Sequence, residues 1–368
     1  MMYDVCEITT IHPQDDARIL RSITALCDKY DKICFIAPWK RSNAIDPKID
    51  MKMWTLPNSR ALRLFNSLIV FIKAMNTNTR IYHFHDLDFI LFAVLLKYLK
   101  NKPVVYDCHE NYPEEIKFNK KWIPYFIRNP LSTLVKHVEN WSVSKLGNII
   151  VVTPSQVARF ESKCLNVALV RNYSSIDLNS SSNGDAIVYV GSLTKTYGLY
   201  QLIDIAKALK NDGIKMYVTD RFVSDVERKY FISEIEDNDL SIELIPKVPA
   251  SHMSKVLKTA KIGLSPSQRA PNTELGYHSK LIEYMACGLP IVASTVNANM
   301  FVLSHVRCGF AVEPSDIGGY VKAIRDIYYD SELCETLRSA GFDAVENEFD
   351  WKIEKKHLFE SFEVALKK

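Results

Sequence analysis

Ionisable residues gather at the ends of three apolar, strand-like runs in the first half of the chain. The loop IHPQDDARI carries His12, Asp15, Asp16 and Arg18, RIYHFHDLD carries His83, His85, Asp86 and Asp88, and VVYDCHENYPEE carries Asp107, His109, Glu110 and Glu114. An imidazole can donate to a hydroxyl, accept its proton or steady a sugar, so His109 is the leading candidate for chemistry. His83 alternates with Phe84 and reads equally well as a core histidine whose polar atoms are satisfied. Three such loops at successive strand ends nevertheless argue for a shared site. In the second half, YVGSLTKTYGL runs from a strand through Gly191 and Gly198 into a helix. That layout turns backbone N–H groups and a helix N-terminus toward an anion, or does no more than turn the chain. Further on, Ser279 stands as an N-cap ahead of KLIEYMACG, with Lys280 and Glu283 in the first turns and CGLP ending the helix. Such a helix start could hold a diphosphate while a nearby carboxylate binds a ribose diol. The competing reading is a solvated, well-capped helix.

Residues of this kind need rigid supports, and the sequence supplies strands and helices in alternation. Runs at 3–9, 32–38, 80–86, 102–108 and 148–154, then 186–192, 214–220, 242–246, 262–267 and 290–295, are rich in β-branched and aromatic residues. Between them, segments such as ARILRSITALCDKY and LYQLIDIAKALKND place apolar residues at i, i+3, i+4 spacing. The alternation predicts an α/β architecture of doubly wound parallel sheets, with ligands at the carboxyl ends of the strands. A length of 368 residues suits two domains. The Ser- and Asn-rich stretch 171–185 divides them into 1–172 and 173–348, and a helical segment, 349–368, closes the chain. Two facing domains of this type imply a cleft.

Composition narrows the classes further. At 47% hydrophobic and 24% charged, the chain is neither disordered nor collagen-like. Forty-six Lys and Arg against 43 Asp and Glu leave a net charge of +3, too small a surplus to argue for a nucleic-acid partner. Eight scattered cysteines without a CxxC pair read as reduced thiols rather than disulfides or a zinc site. The start, MMYDVCEITT, lacks the basic and apolar regions of a signal peptide. The most apolar stretch, FILFAVLLKYL, is about half the roughly 20 residues of a membrane span, so the expected location is the cytoplasm. Only 12 glycines are present, few for a protein that grips phosphate.

YVGSLTKTYGLYQLIDIAKAL and SKLIEYMACGLPIVAS resemble the nucleotide-sugar-binding domain of family 4 glycosyltransferases, which have the GT-B fold. HPQDDARI, HFHDLD, YDCHENYPEE and VTPSQ with VRNYSSID resemble a subgroup common in bacterial surface-polysaccharide synthesis. The resemblance spans nearly the whole chain. It implies two Rossmann-like domains facing across a cleft, acceptor-binding first and nucleotide-sugar-binding second, with the C-terminal helix crossing back to the first. It also implies retaining, metal-independent transfer from a UDP- or GDP-sugar to a saccharide or lipid-linked acceptor, with no cofactor. Glu283 matches the ribose-holding glutamate, and Lys280 with the neighbouring amides of Ser279 and Leu281 would lie near the diphosphate. His109 matches the histidine beside the transferred sugar, and Gly191 and Gly198 match the loop over the phosphates. Asp16, Arg18, His85, Asp86 and Glu110 fall on the acceptor side.

The chain departs from the family pattern at several of these positions. Ser192 and Tyr197 occupy the usual Arg and Lys positions of the glycine loop, with Lys195 two places off. Leu275 replaces the first glutamate of the family's pair, with Glu274 adjacent, while Asp220–Arg221 and Lys247 replace two glycines. Lys195, Arg221, Lys247 and Lys280 are therefore the expected sources of charge at the diphosphate, since a departing diphosphate needs its growing charge stabilised. Segments 59–75 and 117–141 interleave Lys and Arg with aromatic residues, which suits peripheral contact with the inner face of the plasma membrane or, alternatively, plain domain packing. Two other readings stay open at this point. One is a catalytically silent partner subunit of an active transferase, the other a nucleotide-sugar epimerase.

Overall fold

The computed structural model describes residues 2–367 except 13–15, 39–44, 55–62, 121, 174–183, 247, 249–251 and 275. Lys247, Leu275 and Asp15 thus lie outside the described residues. Contacts divide the chain into two compact units, Met1–Asn172 with Glu354–Lys368, and Tyr173–Ile353.

The first unit is built on seven parallel strands: β1 (Tyr3–Ile8), β2 (Ile33–Ala37), β3 (Asp50–Met53), β4 (Thr79–Phe84), β5 (Val104–Cys108), β6 (Asn148–Val151) and β7 (Asn166–Leu169). Their order is β3-β2-β1-β4-β5-β6-β7. The central strands are buried on both faces because helices cover both. Helices α2 (Arg63–Met75), α3 (Ile90–Lys100) and α4 (Tyr125–Leu146) lie side by side and share one core with Cys6, Ile8, Tyr82, Phe84 and Tyr106. Lys100 Nζ donates to Met75 O at 2.9 Å, and Lys97 Nζ donates to Lys145 O and Leu146 O at 2.8 and 2.9 Å. The two lysines of α3 thereby cap the carboxyl ends of its neighbours, where the helix dipole favours cations. Helix α1 (Ala17–Cys27) packs on the opposite face, where Ser22 Oγ donates to Glu7 of β1 at 3.0 Å.

The second unit has six parallel strands: β8 (Ala186–Tyr189), β9 (Met216–Thr219), β10 (Ile242–Ile245), β11 (Ala260–Ser265), β12 (Ile291–Ser294) and β13 (Gly309–Val312). The order is β10-β9-β8-β11-β12-β13. Helix α5 (Leu199–Ala208) belongs to the core on one face, and α6 (Ser279–Ala286) to the core on the other. All ten expected strands are present. β3, β7 and β13 are additional; each is four residues long, and all three lie at the ends of their sheets.

Helix α7 (Trp351–Leu366) begins in the second unit and packs on the first from Glu354 onward. Glu354 is fully buried and accepts from Arg171 N at 2.7 Å and from Arg171 Nη1 at 3.0 Å. Lys29–Glu363 and Lys355–Asp28 pairs and a hydrogen bond from Asn166 Nδ2 to Ser361 O bind the rest of the helix. Removing the Glu354 carboxylate leaves a buried amide and a guanidinium without their acceptor. Glu354→Ala should therefore cost about 2–3 kcal/mol in urea unfolding of the full chain, whereas a loss below about 0.5 kcal/mol would deny the clamp.

Candidate functional site

Each sheet reverses its strand order once, between β1 and β4 in the first unit and between β8 and β11 in the second. At such a point the connections leave in opposite directions and open a crevice at the carboxyl ends of the strands. In the second unit that crevice is a cavity of about 260 Å³ lined by Gly191, Ser192, Tyr197, Arg221, Tyr277, His278, Ser279, Lys280 and Glu283, among others.

The loop after β8 is shaped by two glycines. Gly191 adopts φ +131°, and Gly198 adopts φ +91°, where a Cβ would stand 2.4 Å from Pro266 O. An L side chain disfavours both conformations. Thr219 Oγ1 bridges Gly191 N and Gly191 O at 3.1 and 3.2 Å, while Tyr284 of α6 ties Val190 N to Leu264 O. The loop, β9, β11 and α6 thus form one rigid frame. Ser279 is the first residue of α6 rather than its N-cap: His278 holds that place, with no side-chain cap bond. Its Nδ1 is engaged with Asn299 Oδ1 at 2.7 Å instead, and burial, then Lys280, push the ring down to about 4. The N–H groups of Ser279 and Lys280 consequently have no acceptor among the described residues.

Lys280 reaches back from α6 to the glycine loop. Its Nζ lies 3.2 Å from where a Gly191 Cβ would be, 4.2 Å from the centre of the Tyr189 ring and 5.8 Å from that of Tyr197. The ammonium forms no hydrogen bond or ion pair among the described residues. Burial pushes it down to about 7, against the attraction of Glu283 one turn on and with the help of Arg221. Two cations therefore face the cavity, with Glu283 as the acid. Lys195 is exposed and does not line it. Glu274 does not line it either, since it accepts from Asn297 N at 3.3 Å and lies 3.6 Å from Arg269. Leu281 is buried in the core, and its N–H is donated to His278 O.

In the first unit the strand ends form a network of buried charges. Glu7 receives Ser22 Oγ and contacts His83 Nδ1 at 2.7 Å and His85 Nε2 at 2.6 Å. Burial works against its charge, yet the two imidazoles hold the carboxyl at about 2. Arg18 forks onto both oxygens of Asp107 at 2.9–3.1 Å and donates to Val170 O. Asp86 accepts from Thr9 Oγ1 and Thr10 N, and Asp16 caps α1 at Arg18 N and Ile19 N. His12 bridges these two acids at 3.2 Å each; burial lowers it, but Asp16 and Asp86 more than compensate and raise it to about 9. His109 lies 4.9 Å from His12 and 5.9 Å from His85, ring centre to ring centre. Both His109 nitrogens are buried and have no hydrogen-bond partner among the described residues.

Arg18, His85 and Asp86 are thus almost completely buried and committed to internal partners, whereas His109 and Glu110 are only partly covered. His83 is a fully buried core histidine, with Nδ1 on Glu7 and Nε2 3.8 Å from Asp107 but not hydrogen-bonded. Two groups, Glu7–His83–His85 and His85–Asp107–His109, have the proximity of metal ligands, which the sequence spacing did not reveal. Their carboxylates are already engaged, Glu7 by two imidazoles and Asp107 by the Arg18 fork. Glu7 also escaped the sequence reading. The signal for it was an acid in the middle of the otherwise buried strand YDVCEI.

Residues 173–343 match the family model of glycosyl transferases group 1. No curated protein sequence matches the chain. Among solved structures, sucrose-phosphate synthase from Thermosynechococcus elongatus is 15% identical, with 98% of each chain covered and a TM-score of 0.72. HepE from Anabaena in complex with UDP is 13% identical over 99% of this chain and 100% of its own, TM-score 0.72, and it has also been solved with UDP-glucose. A glycosyltransferase from Rickettsia africae is 14% identical over 100% of this chain and 99% of its own, TM-score 0.73. The chain has the GT-B fold, and its second unit carries the domain of glycosyl transferases group 1.

Proposed function

We propose that the protein transfers a sugar from a UDP-sugar, with retention and without a metal, to a saccharide or lipid-linked acceptor in surface-polysaccharide or glycoconjugate synthesis. The observation that carries this reading is the Lys280 ammonium, held beside the glycine loop with Arg221 in the same cavity and no carboxylate bonded to it. Two cations and two open N–H groups at a helix start are what a diphosphate requires. HepE, of like fold, binds UDP and UDP-glucose, which supports uridine as the base.

In this reading Glu283 accepts from the ribose hydroxyls, and Lys280 and Arg221 take up the charge that grows as the sugar–oxygen bond breaks. Lys280 supplies from the helix the charge that Ser192 and Tyr197 withhold from the loop. The acceptor oxygen attacks on the face the diphosphate leaves, and its proton passes to the departing phosphate oxygen. His109 orients the acceptor side through its two unoccupied nitrogens, while the buried Arg18, His85 and Asp86 hold the strand ends that carry it. A lipid-linked acceptor would place the reaction at the inner face of the plasma membrane.

Calorimetric titration tests the donor half of this proposal. UDP-glucose should bind, and Lys280→Ala should weaken it about ten- to a hundredfold. The diphosphate of a UDP-sugar does not titrate near neutrality, so the pH dependence belongs to the protein. An ammonium at about 7 when free is raised by the bound anion. Binding therefore takes up a proton, and affinity is greatest below pH 7 and falls by up to tenfold per unit above it, a slope that Lys280→Arg should flatten. No binding of any UDP- or GDP-sugar would defeat the proposal. On the acceptor side, His109→Ala should leave UDP-glucose affinity within a factor of about two while cutting turnover by about 10²–10⁴. A parallel loss of affinity would move His109 to the donor.

A further inference from the structure

The outer face of α2, α3 and α4 is apolar where a helical layer over a sheet is ordinarily polar. On α2, Phe65, Leu68, Ile69 and Ile72 form an exposed stripe, and on α3 Leu91, Leu95, Tyr98 and Leu99 form another. Ile127, Leu134 and Trp141 continue the surface along α4 at heptad spacing. At the start of α4, Trp122, Tyr125 and Phe126 are among the most exposed aromatic residues of the chain, at 64%, 81% and 79%. Among the described residues, fifteen of the 25 exposed large apolar side chains lie on these three helices or the segment leading into α4. A monomer seldom exposes so large an apolar patch without a use for it.

The charge on the same helices is one-sided. Their sequences hold seven Lys or Arg and a single acid, Glu139, in a chain that is nearly balanced as a whole. Glu139 is fully buried and paired with Arg159, so it offsets none of the surface charge. Lys97 and Lys100 are spent on helix ends, whereas Lys73, Lys117, Lys120, Lys136 and Lys145 form no ion pair among the described residues. Lysine is depleted from the centres of protein–protein interfaces, where its desolvation is costly. Lysines interleaved with Trp, Tyr and Leu instead suit an anionic bilayer, with rings and aliphatic side chains at the headgroup boundary and ammonium groups on the phosphates.

We propose that the outer face of α2, α3 and α4 docks this protein on an anionic lipid bilayer. The docking plane includes α3, which carries the most apolar stretch of the sequence, and it extends the basic aromatic segments around it into one surface. This inference goes beyond the transfer reading and does not depend on it, because docking needs no donor.

The test is flotation of the full chain, without nucleotide, on vesicles of phosphatidylcholine alone or mixed with phosphatidylglycerol. The protein should float with the mixed vesicles at low salt and much less with the neutral ones. Reversing Lys117 or Lys136 to Glu should weaken binding at least about fivefold each. Tyr125→Ser with Phe126→Ser should abolish flotation while leaving the melting temperature unchanged, since both side chains are already in water. Equal recovery in the unbound fraction with both vesicle types overturns the proposal. So does flotation indifferent to Tyr125 and Phe126, or a dimer in sedimentation that these two substitutions dissolve, which would assign the face to a second copy.

Discussion

A parallel sheet that reverses its strand order must leave a gap where two neighbouring strands end and their connections depart to opposite sides. Both sheets here do so, and the chemistry follows the two gaps. In the second unit the gap lies between β8 and β11, and the Gly191 loop, α6 and the segment just after β9 that carries Arg221 close around it. In the first it lies between β1 and β4, and Glu7, His83, His85 and Asp86 stand there because their strands end there. Every candidate residue is placed relative to a reversal.

The two gaps solve the problem of burying charge differently. In the first unit each buried charge has its partner: Glu7 between two imidazoles, Asp107 under the Arg18 fork, Asp86 on a backbone amide and a threonine. Breaking one partner out of such a network leaves an uncompensated charge, so these residues act as structure, and His109, whose Nδ1 lies 3.7 Å from Asp107 but whose ring nitrogens form no hydrogen bond among the described residues, is the one open to a substrate. In the second unit a charge is left without a partner. Lys280 stands against aromatic rings and a glycine, and its lowered proton affinity is the cost of that position. An arrangement that is unfavourable until an anion arrives is one prepared for an anion. The low glycine count is consistent with this, because the charge comes from a helix side chain rather than from a glycine-rich loop with its own Arg and Lys.

How much of this was legible in the sequence depended on whether the signal was local. The ten strands with dense β-branched composition were, and so were the places of Lys280 and Glu283 at the start of a helix and of His109 after a strand. β3, with the sequence DMKM, was not, because an edge strand needs little apolar content. Ser279 looked like an N-cap from residue type alone; His278 takes the position, its ring engaged with Asn299 of the neighbouring helix. Asp86, His85 and Arg18 looked available for an acceptor, and their burial depends on Thr9, Glu7 and Asp107, which are 76 or more residues away along the chain. The Tyr189 ring beneath Lys280 was hidden for the same reason. α3 read only as an apolar stretch too short to span a membrane, and composition did not show that it buries one face and exposes the other.

The central claim is that the reversal point of the second sheet, with Lys280 reaching over the Gly191 loop, is where the donor diphosphate sits. A crystal structure with UDP bound tests it most directly. The account predicts a phosphate oxygen within about 3.2 Å of Lys280 Nζ and the ribose against Glu283. A nucleotide bound elsewhere, or bound there with its phosphates turned away from Lys280 and Arg221, would contradict it.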